Sequence, residues 1–137
     1  MSSEHNSFSS LEPGLHAEVE ITVSEAETAA HLESGTIPVY ATPALVALME
    51  NAAVRALEGH LPPGQTTVGI RIDVRHQAAT PVGMQVRAQA ELTEVQGRKL
   101  SFHIQAWDEV EQIGDANHIR FIVDESSFIE RTREKGK

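Results

Sequence analysis

From Gly14 to Val23 the chain alternates, with Leu15, Ala17, Val19, Ile21 and Val23 on one side and His16, Glu18, Glu20 and Thr22 on the other. A period of two marks a half-buried strand. Ser24 followed by Glu27 has the form of a capping box and opens a short helix to about Leu32, which Gly35 and Pro38 end. A long helix comes next. Thr42 suits its N-cap and Pro43 its first position, and from Ala44 to about Glu58 the residues Leu45, Leu48, Met49, Ala52, Ala53, Ala56 and Leu57 recur at helical spacing. So few positions are polar that burial on more than one side is expected. Gly59 closes the helix and Pro62-Pro63-Gly64 turns the chain.

Four strands follow. In Thr67 to Gln77 the apolar positions are Val68, Ile70, Ile72 and Val74; then Met84, Val86, Ala88, Ala90 and Leu92 alternate with polar neighbours. Gln96-Gly97 turns into Leu100, Phe102, Ile104 and Ala106, and about Gln112 to Val123 forms the last strand. One strand, a helix, then a meander of four strands is most economically an α+β fold, an antiparallel sheet wrapped around one long helix. This is the hot-dog layout; cystatin-like folds share its ingredients. Residues 1–12, polar and Ser-rich, are expected to be unstructured, 13–130 to form one domain, and 131–137 a charged tail, with a short helix allowed from Asp124.

Twenty acidic against 11 basic residues give a formal charge of −9. Such a surface repels nucleic acid and anionic membrane, and no basic run reverses it. No apolar run approaches the roughly 20 residues of a membrane helix, and the N-terminal residues lack a signal peptide's apolar segment. With no Cys in the chain, disulfides and thiolate chemistry are excluded. A soluble cytoplasmic protein is the expectation.

Three residues could carry chemistry. His76 lies in phase with Val68, Ile70, Ile72 and Val74, and Glu50 interrupts the apolar helix. Each has a plain alternative, a core histidine and an exposed carboxylate beside Arg55. Thr42 and Glu50 stand two steps of four apart, broadly on one helix face, and a helix N-terminus offers free amides for an oxyanion. A metal site from His76, His103 and His118 is disfavoured, because His103 falls out of phase with Phe102 and Ile104. By the same alternation Arg120 falls out of phase with Ile119, Phe121 and Val123.

Several separated blocks narrow the choice: Val39-Tyr40-Ala41-Thr42, Leu48 to Ala56, His76-Gln77-Ala78-Ala79-Thr80-Pro81-Val82-Gly83, and Ile113-Gly114 with His118 and Arg120. Through them the chain from about Gly14 to Glu130 resembles the fluoroacetyl-CoA thioesterase type of hot-dog enzyme. The resemblance implies hydrolysis of a short-chain acyl-CoA, with Thr42, Glu50 and His76 as the catalytic set. It assigns Gly69 to the thioester carbonyl and Arg120, Ile37 and Tyr40 to the substrate's surroundings. It implies a homodimer paired edge to edge with the site at the subunit interface, and requires no metal or bound cofactor. One feature departs from it: the loop Ser34-Gly35-Thr36-Ile37-Pro38 has no aromatic residue where the fluoroacetyl enzymes carry a gating Phe. A non-catalytic acyl-CoA binding protein and a hot-dog dehydratase or isomerase are the competing functions.

Overall fold

A computed structural model describes residues 11–137; the expectation for the N-terminal segment falls, up to residue 10, outside the described residues. Strand β1 spans His16–Thr22 and helix α1 Ala29–Leu32. Helix α2 spans Thr42–Ala56, and strands β2 (Gln65–His76), β3 (Gln85–Gln96), β4 (Lys99–Trp107) and β5 (Gln112–Asp124) follow. Helix α3, Glu125–Lys135, ends the chain and takes in most of the charged tail. The strands form one sheet in the order β1-β3-β4-β5-β2, every neighbouring pair antiparallel. This is the hot-dog architecture, with β1 and β2 as the outer strands.

The Ser24–Glu27 capping box is present, but it opens only a 3-10 turn, Glu25–Glu27. Thr28 then restarts the chain: its hydroxyl accepts from the His31 amide and caps α1. The expected single helix is therefore two short turns.

Helix α2 lies on the inner face of the sheet. Leu45, Leu48, Met49, Ala52, Ala53 and Ala56 are buried against Val86, Ala88, Ala90, Leu92, Leu100, Phe102 and Ile104. Each large apolar side chain withdrawn from water contributes roughly 1.5–3 kcal/mol. The helix sits close because Gly114 has no side chain: a β-carbon there would stand 2.9 Å from Met49 Cε and 3.0 Å from Leu45 Cδ2. The buried residues form one stripe, and Pro43, Ala47, Asn51 and Val54 remain exposed. Burial on more than one side is not met within a single chain.

Two strands depart from simple alternation. The pairing of β2 with β5 slips between Gly69 and Arg71, leaving Ile70 57% exposed. Such a bulge reverses the facing of the residues before it. Thr67 and Gly69 therefore face inward together with Ile72, Val74 and His76, and Val68 pairs with the exposed Phe121 on the outer side. In β5 the inward residues are Ile113, Ala116, His118, Arg120 and Ile122, all buried. Arg120 is thus in phase with the core, against the alternation read from Ile119 and Phe121.

Beyond the end of β2, the Thr80 hydroxyl donates to Asp108 Oδ2 at 2.8 Å. Burial alone would raise the Asp108 pKa, but the amides of Val110 and Glu111 and this hydroxyl outweigh it and hold the carboxyl below its usual range. The tie fixes the segment that follows His76 to the β4–β5 turn.

Candidate active site

Helix α2 begins one residue earlier than its sequence suggests: Ala41 is the N-cap, Thr42 is the first helical residue, and no side chain caps the helix. The Thr42 hydroxyl is released from capping and lies 2.7 Å from His76 Nδ1. The two come from opposite ends of the α2–β2 unit. They meet because α2 and β2 are joined by the Pro62-Pro63-Gly64 turn and run back along each other.

Burial holds the His76 pKa below its ordinary 6.5, so the ring is neutral at pH 7 and Nδ1 or Nε2 is free to accept a proton. Nε2 is buried and has no hydrogen-bond partner among the described residues. A buried polar atom left unpaired costs about 1–3 kcal/mol, and such groups cluster at functional sites. The pair opens onto a cavity of about 280 Å³ lined by Ala29, Ser34, Val39, Tyr40, Gln77 and Ala78 among others. Tyr40 is buried, its hydroxyl donating to the Ala44 carbonyl at 3.2 Å; burial first, and then the Glu27 charge, raises its pKa. Ile37 is 61% exposed and does not line this cavity.

Glu50 belongs to a second cluster. Eight residues beyond Thr42, it is displaced by about 12 Å along the helix, and it makes no hydrogen bond or ion pair among the described residues. Its Oε2 lies 2.9 Å from the place a β-carbon on Gly69 would occupy, with Arg120 Nη1 and His118 Cε1 each at 3.2 Å from it. Gly69 is therefore required on the inner face to seat Glu50, Arg120 and His118 together. Arg120 donates from Nε to Thr67 Oγ1 at 2.8 Å and from Nη2 to the Thr67 carbonyl at 3.1 Å. Burial lowers its pKa and the Glu50 charge partly restores it.

Within one chain, then, Thr42 and His76 meet, and so do Glu50, Gly69 and Arg120, but the two groups stand apart. Thr67 was not foreseen from the sequence, and neither was the place of His118; a glycine inside an apolar strand is the signal that a bulge would reorder the facing residues. His103, on the outer face, lies 3.0 Å from Asp115. Among the described residues no three His, Asp or Glu side chains converge on one point, and no helix is long and apolar enough to cross a membrane.

Residues 23–126 match the fluoroacetyl-CoA-specific thioesterase family. A fluoroacetyl-CoA thioesterase from Streptantibioticus cattleyicolor is 43% identical over 97 residues, 71% of this chain and 70% of its own. A solved structure of a fluoroacetyl-CoA thioesterase superposes with a TM-score of 0.86 at 36% identity, covering 91% of this chain and 97% of that one. A Thermus thermophilus protein of the thioesterase superfamily gives 0.82 at 27% identity, with 90% and 93% covered.

Proposed function

Because the chain belongs to the fluoroacetyl-CoA-specific thioesterase family, a family of thioester hydrolases, we propose that it hydrolyses a short-chain acyl-CoA at a site shared by two subunits. The observation that carries this reading is the 2.7 Å contact between Thr42 Oγ1 and a neutral, half-buried His76. It is the arrangement of an activated hydroxyl and its base. His76 takes the proton of Thr42, or of a water that Thr42 holds, as the thioester carbonyl is attacked, and returns it to the departing CoA thiolate; where Thr42 itself is acylated, His76 next deprotonates a water that frees the acid and restores the hydroxyl. Glu50 of the partner subunit supplies the negative charge that steadies the imidazolium formed in that step, or attacks the carbonyl itself to give an anhydride that water then opens. The Gly69 amide is assigned to the carbonyl oxygen, with Arg120 beside it. Residues 13–130 form the catalytic domain. The substrate, a polyanion that does not cross a bilayer, assigns the enzyme to the cytoplasm.

The separation of the two clusters supports a homodimer. Strand β2 is an edge of the sheet, and an open edge is a template for pairing. Antiparallel pairing of two β2 strands about a two-fold axis carries His76, at the strand's end, toward the partner's Gly69 and with it the partner's Glu50. Light scattering at micromolar concentration is expected to give twice the chain mass; a 14.9 kDa monomer would remove the shared site.

Release of free thiol from a panel of acyl-CoAs tests the activity itself. Turnover separates a thioesterase from an acyl-CoA binding protein, and thiol release separates it from a dehydratase or isomerase. Within the panel, fluoroacetyl-CoA and acetyl-CoA are expected to show similar kcat/KM. The loop 34–38 has no ring to close over a small acyl group, Ile37 is exposed and does not line the cavity, and a few methylene-sized contacts discriminate by only about 1–3 kcal/mol. A preference of several orders of magnitude for the fluorinated substrate would assign the selection to another residue.

A further inference from the structure

His118 is 1% exposed, too deep for a group that only titrates against solvent, and its two nitrogens have different tasks. Nδ1 lies 2.7 Å from the Arg71 carbonyl, which can only accept, so Nδ1 carries the proton. Nε2 is then a lone pair, and Arg120 Nη1 stands 3.2 Å from it as donor. A neutral ring is required, and burial, the largest influence, together with the Arg120 charge lowers its pKa against the opposing Arg71 bond and Glu50 charge. With Thr67 holding Nε and Nη2, the guanidinium is gripped on every side except the one that faces Glu50 across Gly69.

We propose that His118 is a positioning residue: through its Nε2 it fixes the Arg120 guanidinium beside Glu50, so that guanidinium and carboxylate stay seated together over Gly69. The charge of Glu50 reaches the ring from α2, the Arg71 carbonyl comes from β2, Arg120 lies on β5 itself, and the Phe102 ring of β4 stands at 6.1 Å between centroids. Phe102 supplies packing that any apolar side chain could meet. The Arg71 carbonyl and the Arg120 donor require a ring that donates on one side and accepts on the other.

This inference rests on the thioesterase reading, and its test separates the two. In the intact protein, His118→Leu is expected to lower kcat by about 10–100-fold with KM changed by less than about threefold, the usual effect of removing such a support. His118→Gln, which keeps an acceptor within reach of Arg120, is expected to recover most of the loss. In an Arg120→Gln background His118→Leu is expected to add less than about twofold, because the residue it supports is already gone. A folded His118→Leu protein with wild-type kcat, or losses that multiply fully in the double variant, would overturn the proposal. Nitrogen-15 NMR of the wild-type protein reads the same claim without turnover. It should show the His118 proton on Nδ1 and a slowly exchanging Arg120 Nη1–H, the one that meets His118, which is lost in His118→Leu and kept in His118→Gln. A proton on Nε2 overturns the proposal, whereas absence of thiol release with the Nδ1 tautomer intact overturns only the enzymatic reading.

Discussion

His76→Ala is expected to lower turnover by roughly 10²–10⁴-fold, the usual worth of a positioned general base. The fold should survive, because the ring is only partly buried and its Nε2 has no partner to lose among the described residues. Thr42 remains in place in this variant but has no group to take its proton. The same residue sets the acid side of the pH profile. Burial makes the protonated ring less favourable, so the folded pKa lies below the 6.5 of a free histidine. The base form is lost only as pH falls through that lower value, and wild-type kcat/KM is expected to be level around neutral pH and to fall with a midpoint below 6.5. Activity of the Ala variant within a few-fold of wild type, measured by thiol release, would remove His76 from the mechanism. An acid limb at or above 6.5 would show that the carboxylate brought by the partner outweighs the burial of the ring.

Glu50→Gln should cost on the order of 10²–10³-fold in kcat. The substitution keeps the shape that fits over Gly69 and removes the charge that faces Arg120. Losing one preorganised charge at a reacting centre typically costs about that much. Because Glu50 makes no ion pair among the described residues, the variant is expected to melt within a few degrees of wild type. A large loss of stability with little change in kcat would assign Glu50 to the fold and not to the chemistry.

The architecture was legible because hydrophobic period alone carries it: the buried residues of α2, β3 and β4 are those that the spacing of Leu45, Met49, Val86, Ala88, Phe102 and Ile104 marks out. The candidate site residues were legible by type but not by position. Alternation put His76 on the inner face correctly, yet it counted through Ile70, which the bulge expels. It also took Ile119 and Phe121 for core, and so turned Arg120 outward, when the buried polar pair His118 and Arg120 holds the inner positions. Hydrophobicity is a poor guide to facing wherever a site buries charge, because the site reverses the rule the pattern relies on. Thr42 shows the same limit at a helix end, where a one-residue shift separates a hydroxyl spent on capping from one bonded to His76. The helix spacing that puts Thr42 and Glu50 on one face is correct as geometry, but one face of one helix does not make one site.

The most direct measurement is subunit complementation. His76→Ala and Glu50→Gln proteins, each nearly inactive, are mixed in equal amounts, dissociated, and allowed to reassociate before thiol release from acetyl-CoA is followed. About half of the dimers then pair one variant with the other, and in each of those one of the two shared sites holds both an intact His76 and the partner's intact Glu50. Activity should return to about one-quarter of wild type. Activity no higher than the average of the two variants, in a mixture shown to contain heterodimers, would contradict a site built from Thr42 and His76 of one chain and Glu50 of the other.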